Sequence, residues 1–165
     1  MAPPPAAGAP PRRRTARPGR APGELRTRDF LALLPGLTRP LLPEDLQDFV
    51  VRGPMFSLVG LHYGEPRVHY EVWVQRRAAV LELGLHFEAE AERNAAGLLA
   101  LSEYADAIGG RLGPRVEGEE WTKSWTRIHE TAALRPLTPD YAAAVAKRLA
   151  ALVAVLEPLR RRAGV

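Results

Sequence analysis

Residues 68–87, VHYEVWVQRRAAVLELGLHF, decide the fold that the sequence predicts. Apolar and polar residues alternate on both sides of Arg76-Arg77, which is the pattern of two half-buried strands joined by a tight hairpin. We therefore predict strands over 68–75 and 79–87, whose apolar faces form the core side of a sheet. These faces consist of Val68, Tyr70, Val72 and Val74 in one strand, and of Ala79, Leu81, Leu83, Leu85 and Phe87 in the other.

The strand pattern extends towards the N-terminus. Residues 55–63 are rich in Leu, Val, Phe and Tyr, and Gly64-Glu65-Pro66 is a turn signal before the next strand. This predicts a three-stranded antiparallel meander. Residues 116–131 leave two alternatives open. Trp121 and Trp125 have the spacing of a helix face, whereas 124–131 also fits a strand, which we favour because a fourth strand would stabilise the sheet.

Helical periodicity surrounds the meander. Two short helices are predicted over 28–34 and 43–50, and two long amphipathic helices over 89–112 and after Thr138-Pro139-Asp140, an N-cap signal. The element order is ααβββαβα. It predicts an α+β fold of two layers, in which the two long helices cover one face of an antiparallel three- to four-stranded sheet.

The basic charge of the chain is concentrated near its N-terminus. The 165 residues carry 23 Lys and Arg against 19 Asp and Glu, and seven of the Arg but only two acids fall within 1–29. Residues 1–23 are rich in Pro, Gly and Arg and contain no aromatic residue, so we predict a disordered tail there and a single domain over 24–162.

Three interpretations of the tail stay open. The first is a basic arm that binds nucleic acid through phosphate contacts. The second is a solubilising tail, and the third is an extension from a misplaced start codon. In the first interpretation the binding residues are Arg12, Arg13, Arg14, Arg17 and Arg20.

The face of the meander opposite the core carries the candidate site. A two-residue loop at Arg76-Arg77 would place Glu71 opposite Glu82, an unfavourable pair unless a cation or a proton lies between them. The same register pairs Trp73 with Val80 and His69 with Gly84. The candidate ligand-binding residues are Arg67, His69, Glu71, Trp73, Glu82, His86 and Arg127.

This polar surface has competing interpretations. Trp and Arg on an open sheet face are suited to stack on a base, a peptide or a small ligand. His69, Glu71, Glu82 and His86 are residue types that also bind zinc, which would suit a metal-dependent hydrolase. Alternatively it is an ordinary solvated face, or Trp73 and Trp125 pack beneath the N-terminal helices.

The known catalytic and cofactor motifs are missing from the sequence. It has no Cys, no Gly-rich phosphate loop, no dinucleotide fingerprint and no Gly-x-Ser-x-Gly elbow, so we expect no cofactor and assign no catalytic or metal-binding residue. The longest apolar run is 149–156, too short for a membrane span, and we expect a cytoplasmic protein. The near-heptad stripe over 141–159 suits either an internal core or a homodimer, so a monomer and a homodimer both stay open.

Residues 80–159 resemble small bacterial α+β domains of unknown function, some of which are found beside restriction-type nucleases. The similar features are the strand 80–87, then Gly113-Pro114, Glu119-Glu120-Trp121 and Trp125-Thr126-Arg127-Ile128. The resemblance implies a bacterial cytoplasmic protein and transfers no catalytic residue. The Glu-x-Lys of restriction-type nucleases is missing after Glu82.

These observations favour a non-enzymatic binding or interaction module, whose partner is a protein or a small ligand. A nucleic-acid-binding accessory protein that uses the basic tail is the alternative. A metal-dependent hydrolase is the third hypothesis.

Overall fold

In the computed structural model, which describes residues 22–165, the predicted meander lies within a larger sheet. The fold is α+β, with one antiparallel sheet in the order β1-β2-β3-β4-β6-β5 and four α-helices in the described part of the chain. The strands are β1 (Val50–Met55), β2 (Leu58–His62), β3 (Val68–Gln75), β4 (Val80–Phe87), β5 (Glu117–Glu120) and β6 (Thr126–Ala133). The helices are α1 (Thr27–Thr38), α2 (Ala91–Ser102), α3 (Ala105–Leu112) and α4 (Pro139–Ala163).

The α+β class and the antiparallel sheet are confirmed, but the count of three to four strands is wrong. Six strands are present within residues 22–165. The predicted strand 55–63 contains β2, which pairs with the additional strand β1, and β5 is a second additional strand beside β6. The predicted helix over 43–50 is wrong, and Gly53-Pro54 just after it lies inside β1. An edge strand tolerates a proline because one side of it needs no ladder hydrogen bonds. Short 3-10 turns, Arg39–Leu41 and Glu44–Leu46, replace that helix.

The hairpin between β3 and β4 has a longer loop than predicted. Residues 76–79 form the connection, with Ala79 in the left-handed region at φ 55°, so Gln75 pairs with Val80. The predicted pairing of Glu71 with Glu82 is therefore wrong, and so are the pairings of His69 and Trp73. The shift moves each partner by two residues, and a shift of two leaves every side chain on its predicted face.

The helices also differ in detail from the prediction. The segment 89–112 forms α2 and α3 with a break between them, and α1 continues through Pro35 to Thr38. The start of α4 is as predicted, since the Tyr141 amide donates to the Thr138 hydroxyl at 3.2 Å. The stripe of α4 is buried in the chain's own core.

Residues 116–131 form two strands rather than one. β6 begins at Thr126, which confirms the strand interpretation for its second half, and β5 pairs with β6 as an edge strand. Trp121 and Trp125 lie in the loop between them. This loop, residues 121–125, is called the tryptophan loop below.

The two faces of the sheet have different surroundings. The apolar face of β2, β3 and β4 joins the buried residues of the helices in one hydrophobic core. Two buried glutamates on this side are held by arginines of α4: Glu130 by Arg148 at 2.6 Å and Glu157 by Arg160 at 2.8 Å.

The predicted tail lies outside the described residues except for its last two positions. The five candidate nucleic-acid-binding arginines all lie outside the described residues. Within residues 22–165 no helix is long and apolar enough to cross a bilayer.

Candidate ligand-binding site

Every histidine of the chain lies on the sheet face that points away from the helices, called the polar face below. The register places His62, His69 and His86 side by side across β2, β3 and β4. His129 of β6 belongs to the next row of the same face. The two rows are His62, His69, His86, Arg127 and Glu119, and Gly60, Glu71, Gly84, His129 and Glu117.

The polar face is covered, not open as the sequence predicts. The Trp121 ring lies with its centroid 5.6 Å from that of His86 and 6.1 Å from that of Trp73, and Trp125 stacks beside it at 5.8 Å. His86 is 1% exposed and Glu82 is 2% exposed. The interpretation as a solvated face is therefore wrong, because the tryptophan loop excludes water from its centre.

The alternative in which Trp73 and Trp125 pack beneath the N-terminal helices is also wrong. The Trp73 indole donates to Ser57 at 3.1 Å and contacts Trp121, while α1 packs mainly against α4.

Arg127 holds the acidic groups behind the Trp121 ring. Its guanidinium donates to Glu82 at 2.6 Å and to Glu119 at 2.5 and 2.9 Å, and it lies 4.9 Å from the centre of the Trp121 ring. Burial alone would raise the pKa of Glu82, but the neighbouring His86, Arg127 and His129 lower it below its ordinary 4.5. Glu82 is therefore a buried carboxylate that stays charged.

The histidines behind the loop lack hydrogen bonds. Neither ring nitrogen of His86 or His129 has a hydrogen-bond partner within the described residues. Carboxylate oxygens nevertheless lie close: Glu82 is 3.5 Å from His86, and Glu119 is 3.1 Å from His129. Burial and the charge of Arg127 lower the pKa of His129, against the opposing effect of the nearby glutamates. His129 is therefore neutral at pH 7.

A cavity of about 280 Å³ opens beside this network. All three tryptophans of the chain line it, Trp73 from β3 and Trp121 and Trp125 from the tryptophan loop. Its remaining lining residues are Arg52, Met55, Leu58, Gly60, His69, Glu71 and Glu88. We call it the tryptophan cavity.

Glu71 is the most unusual residue of the tryptophan cavity. Its side chain is only 8% exposed, and its carboxylate makes no hydrogen bond within residues 22–165. The nearest ionisable group is His69, whose Nε2 lies 3.5 Å from Glu71 Oε2. Both cross-strand neighbours of Glu71 are glycines: Gly60 lines the cavity beside it, whereas His129 packs closely against Gly84 on the other side.

The predicted site residues divide into three groups. His69, Glu71 and Trp73 line the tryptophan cavity, and Glu82, His86 and Arg127 form the buried network behind it. Arg67 does not join either group, because it pairs with Glu90 at the surface with 60% of its side chain exposed.

Sequence reasoning missed several contributors to the site. Trp121, Trp125, Glu119 and Arg52 were not among the candidates. His129 had one usable signal: the predicted strand 124–131 already placed it on the same side as Arg127 and Trp125.

The geometry does not support the metal hypothesis. Within residues 22–165, no three His, Asp or Glu side chains are arranged so that they could hold a metal ion. The predicted set of His69, Glu71, Glu82 and His86 is divided between the cavity and the network behind Trp121.

A second, larger cavity of about 590 Å³ lies among α2, α3 and β5. It is lined mainly by aliphatic residues such as Leu98, Ile108 and Val116, and Ser102, Glu117 and Glu120 are its only polar side chains. It has few groups that could orient a ligand, so the tryptophan cavity is the better candidate site.

Comparisons with models of protein families, with curated proteins and with solved structures give no match for this chain. The resemblance to small bacterial domains therefore stays a prediction, and the argument for function depends on the geometry of the site.

Proposed function

We propose that this protein is a non-enzymatic binding module whose ligand is a small molecule held in the tryptophan cavity. The observation that carries the proposal is Glu71, a largely covered side chain whose carboxylate has no hydrogen-bond partner within residues 22–165 and faces a cavity lined by every tryptophan of the chain. A volume of about 280 Å³ is near the lower end of the range for ligand pockets, which suits a small ligand.

Energetics support a binding role for Glu71. A buried ionised carboxylate costs several kcal/mol unless it is paired and hydrogen-bonded. Gly60 lines the cavity beside Glu71, and a larger side chain at this position would extend into the cavity. A sheet selected for stability alone would place an apolar residue at the position of Glu71, so an acid without a hydrogen-bond donor in the described chain is better explained by a ligand that donates to it.

The lining residues favour binding over catalysis. Among residues 22–165, no Ser, Thr, Cys, Tyr or Lys lines the cavity as a nucleophile beside His69. His69 also has its Nδ1 atom engaged by the backbone carbonyl of Pro66 at 3.1 Å. Catalysis by a hydroxyl, thiol or amine nucleophile needs that group within hydrogen-bond reach of a base, and the described lining offers no such pair.

Tryptophan fluorescence gives a direct test, because all of the indole emission comes from the site. A library of small polar and aromatic fragments should contain members that change both the emission and the melting temperature. The matched variants are Gly60→Ala, which adds a methyl group to the cavity wall at an ordinary 3.6 Å from its neighbours, and Gly36→Ala in α1, which meets nothing within 4 Å. Binding should weaken in the first variant only. The proposal fails if no fragment changes either signal, or if both variants bind alike.

Nucleic-acid binding through the N-terminal arginines stays a separate prediction. Its candidate residues lie outside the described part of the chain, and the tryptophan cavity gives it no support.

A further inference from the structure

The tryptophan cavity contains two hydrogen-bond acceptors that face each other. A backbone carbonyl can only accept, so Nδ1 of His69 is the donor in the 3.1 Å contact with Pro66. In the neutral form of the ring this leaves the lone pair on Nε2, 3.5 Å from the Glu71 carboxylate. Two acceptors at this separation leave room for one shared donor, since a nitrogen can lie within about 3 Å of both.

Glu71 is the exception among the buried glutamates of this protein. Each of the other three has an arginine within hydrogen-bond distance, at 2.6 to 2.8 Å. These pairs are Glu82 with Arg127, Glu130 with Arg148, and Glu157 with Arg160. Within residues 22–165 an arginine therefore accompanies every buried glutamate except the one that lines the tryptophan cavity, whose nearest ionisable group is His69.

No arginine of the described chain takes that place. Arg127 is already engaged by Glu82 and Glu119. Arg52 lines the cavity but is exposed, and no ion pair joins it to Glu71. A second acid, Glu88, also lines the cavity, so the lining holds two carboxylates and one arginine.

The indole wall suits a cation as well. Cations are attracted to the faces of aromatic rings, and most strongly to tryptophan. Trp121 already has the Arg127 guanidinium 4.9 Å from its centre, so this wall binds a positive group within the fold itself. The rings of Trp73 and Trp125 extend the same wall along the cavity.

We propose that the ligand of the tryptophan cavity is a small protonated amine, whose N–H groups donate to Glu71 and to Nε2 of His69 and whose apolar part packs against the tryptophans. This inference rests on the proposed binding function and names the chemical class of its ligand. The ligand needs an N–H donor as well as a positive charge, because both Glu71 and Nε2 of His69 are hydrogen-bond acceptors. Anions are rejected by Glu71 and Glu88.

Three probes of nearly equal shape separate charge from size. Phenethylamine carries the ammonium group, 2-phenylethanol replaces it with a hydroxyl, and phenylacetate replaces it with a carboxylate. Titration at pH 7, followed by tryptophan emission and by calorimetry, should show at least tenfold tighter binding of the amine than of the alcohol, and no binding of the acid. The N,N,N-trimethyl derivative of the amine should bind more weakly than the amine, since it has no N–H to donate.

The decisive variant is Glu71→Gln, with Glu90→Gln as its matched control at the surface. Glu71→Gln should weaken phenethylamine at least tenfold and leave 2-phenylethanol within about twofold, whereas Glu90→Gln should change neither. A cooperative thermal transition of ligand-free Glu71→Gln, followed by circular dichroism, shows that the variant is folded, independently of any ligand.

The outcomes separate this inference from the proposed function. If the alcohol binds as tightly as the amine, or if Glu71→Gln does not weaken the amine, the ligand is not an amine and the binding function survives. The same holds if other fragments bind and none of the amines does. If no fragment of any class binds, the inference and the proposed function fail together.

Discussion

Replacement of Arg127 with Met tests the charge network behind the Trp121 ring. The Arg127 guanidinium is about nine-tenths buried and donates to Glu82 at 2.6 Å. The variant leaves the Glu82 carboxylate in the interior without its arginine. Removal of one partner from a buried ion pair costs roughly 3–5 kcal/mol, and we expect a loss at the lower end of this range, because Gln75 still donates to Glu82 at 2.6 Å. A loss of this size is a large part of the ~5–15 kcal/mol that holds a typical domain folded.

Urea unfolding at pH 7, followed by circular dichroism, measures the loss. Arg93→Met is the matched control, since Arg93 pairs with Glu65 at 3.3 Å on the exposed surface. Exposed pairs contribute at most about 1 kcal/mol, so the control should change the free energy of unfolding by no more than that. A double variant, Arg127→Met with Glu82→Gln, removes both charges and should recover roughly half of the loss.

Two results would refute this reasoning. A loss below about 1 kcal/mol in Arg127→Met would mean that Glu82 does not depend on Arg127 for its charge. A double variant as unstable as the single one would mean that Arg127 acts through its packing on Trp121 instead of through Glu82.

Three further predictions concern pH, packing and the tail. Because the pKa of His129 is lowered in the folded protein, the unfolded chain takes up a proton near pH 6.5 before the folded chain does. The contribution of His129 to stability should therefore be complete above pH 6.5, and the free energy of unfolding should fall on acidification by up to ~1.4 kcal/mol per pH unit. In urea titrations between pH 7 and 5, His129→Asn should reduce this slope. Gly97→Ala should lower the free energy of unfolding by about 1–3 kcal/mol, because the new Cβ would lie 2.6 Å from the Phe87 ring. Gly110→Ala is the control, since its Cβ meets nothing within 4 Å, and it should raise the free energy of unfolding by about 0.5–1 kcal/mol. Equal effects of the two variants in urea unfolding would contradict the packing argument. If the N-terminal arginines bind nucleic acid, a chain that starts at Glu24 should lose the salt-dependent DNA or RNA binding of the full chain, and equal, negligible binding by both would remove that hypothesis.

The sequence predicted the faces of the central strands correctly and their pairing incorrectly, for one physical reason. Alternation assigns a side chain to a face with a period of two, and the observed pairing differs from the predicted pairing by two residues. His69, Glu71 and Trp73 therefore share the predicted face. The loop length was not predictable, because Ala79 in the left-handed region has no glycine or asparagine signal.

The cover of the polar face could not be predicted from periodicity. Trp121 and Trp125 lie in a loop, where no repeat indicates which way a side chain points. Their contacts with Trp73 and His86 depend on how β5 and β6 join the sheet beside β4, which only the tertiary structure shows. For the same reason the sequence predicted an open surface where the structure has a closed one.

The position of β5 has a consequence for access to the cavity. This strand has four residues, pairs within the described chain with β6 alone, and leads directly into the tryptophan loop. Breaking the hydrogen bonds between β5 and β6 would free the tryptophan loop from the polar face, while β3 and β4 stay paired at the centre of the sheet. Backbone amides of β5 should accordingly exchange with deuterium much faster than those of β3, and a bound guest should slow them selectively.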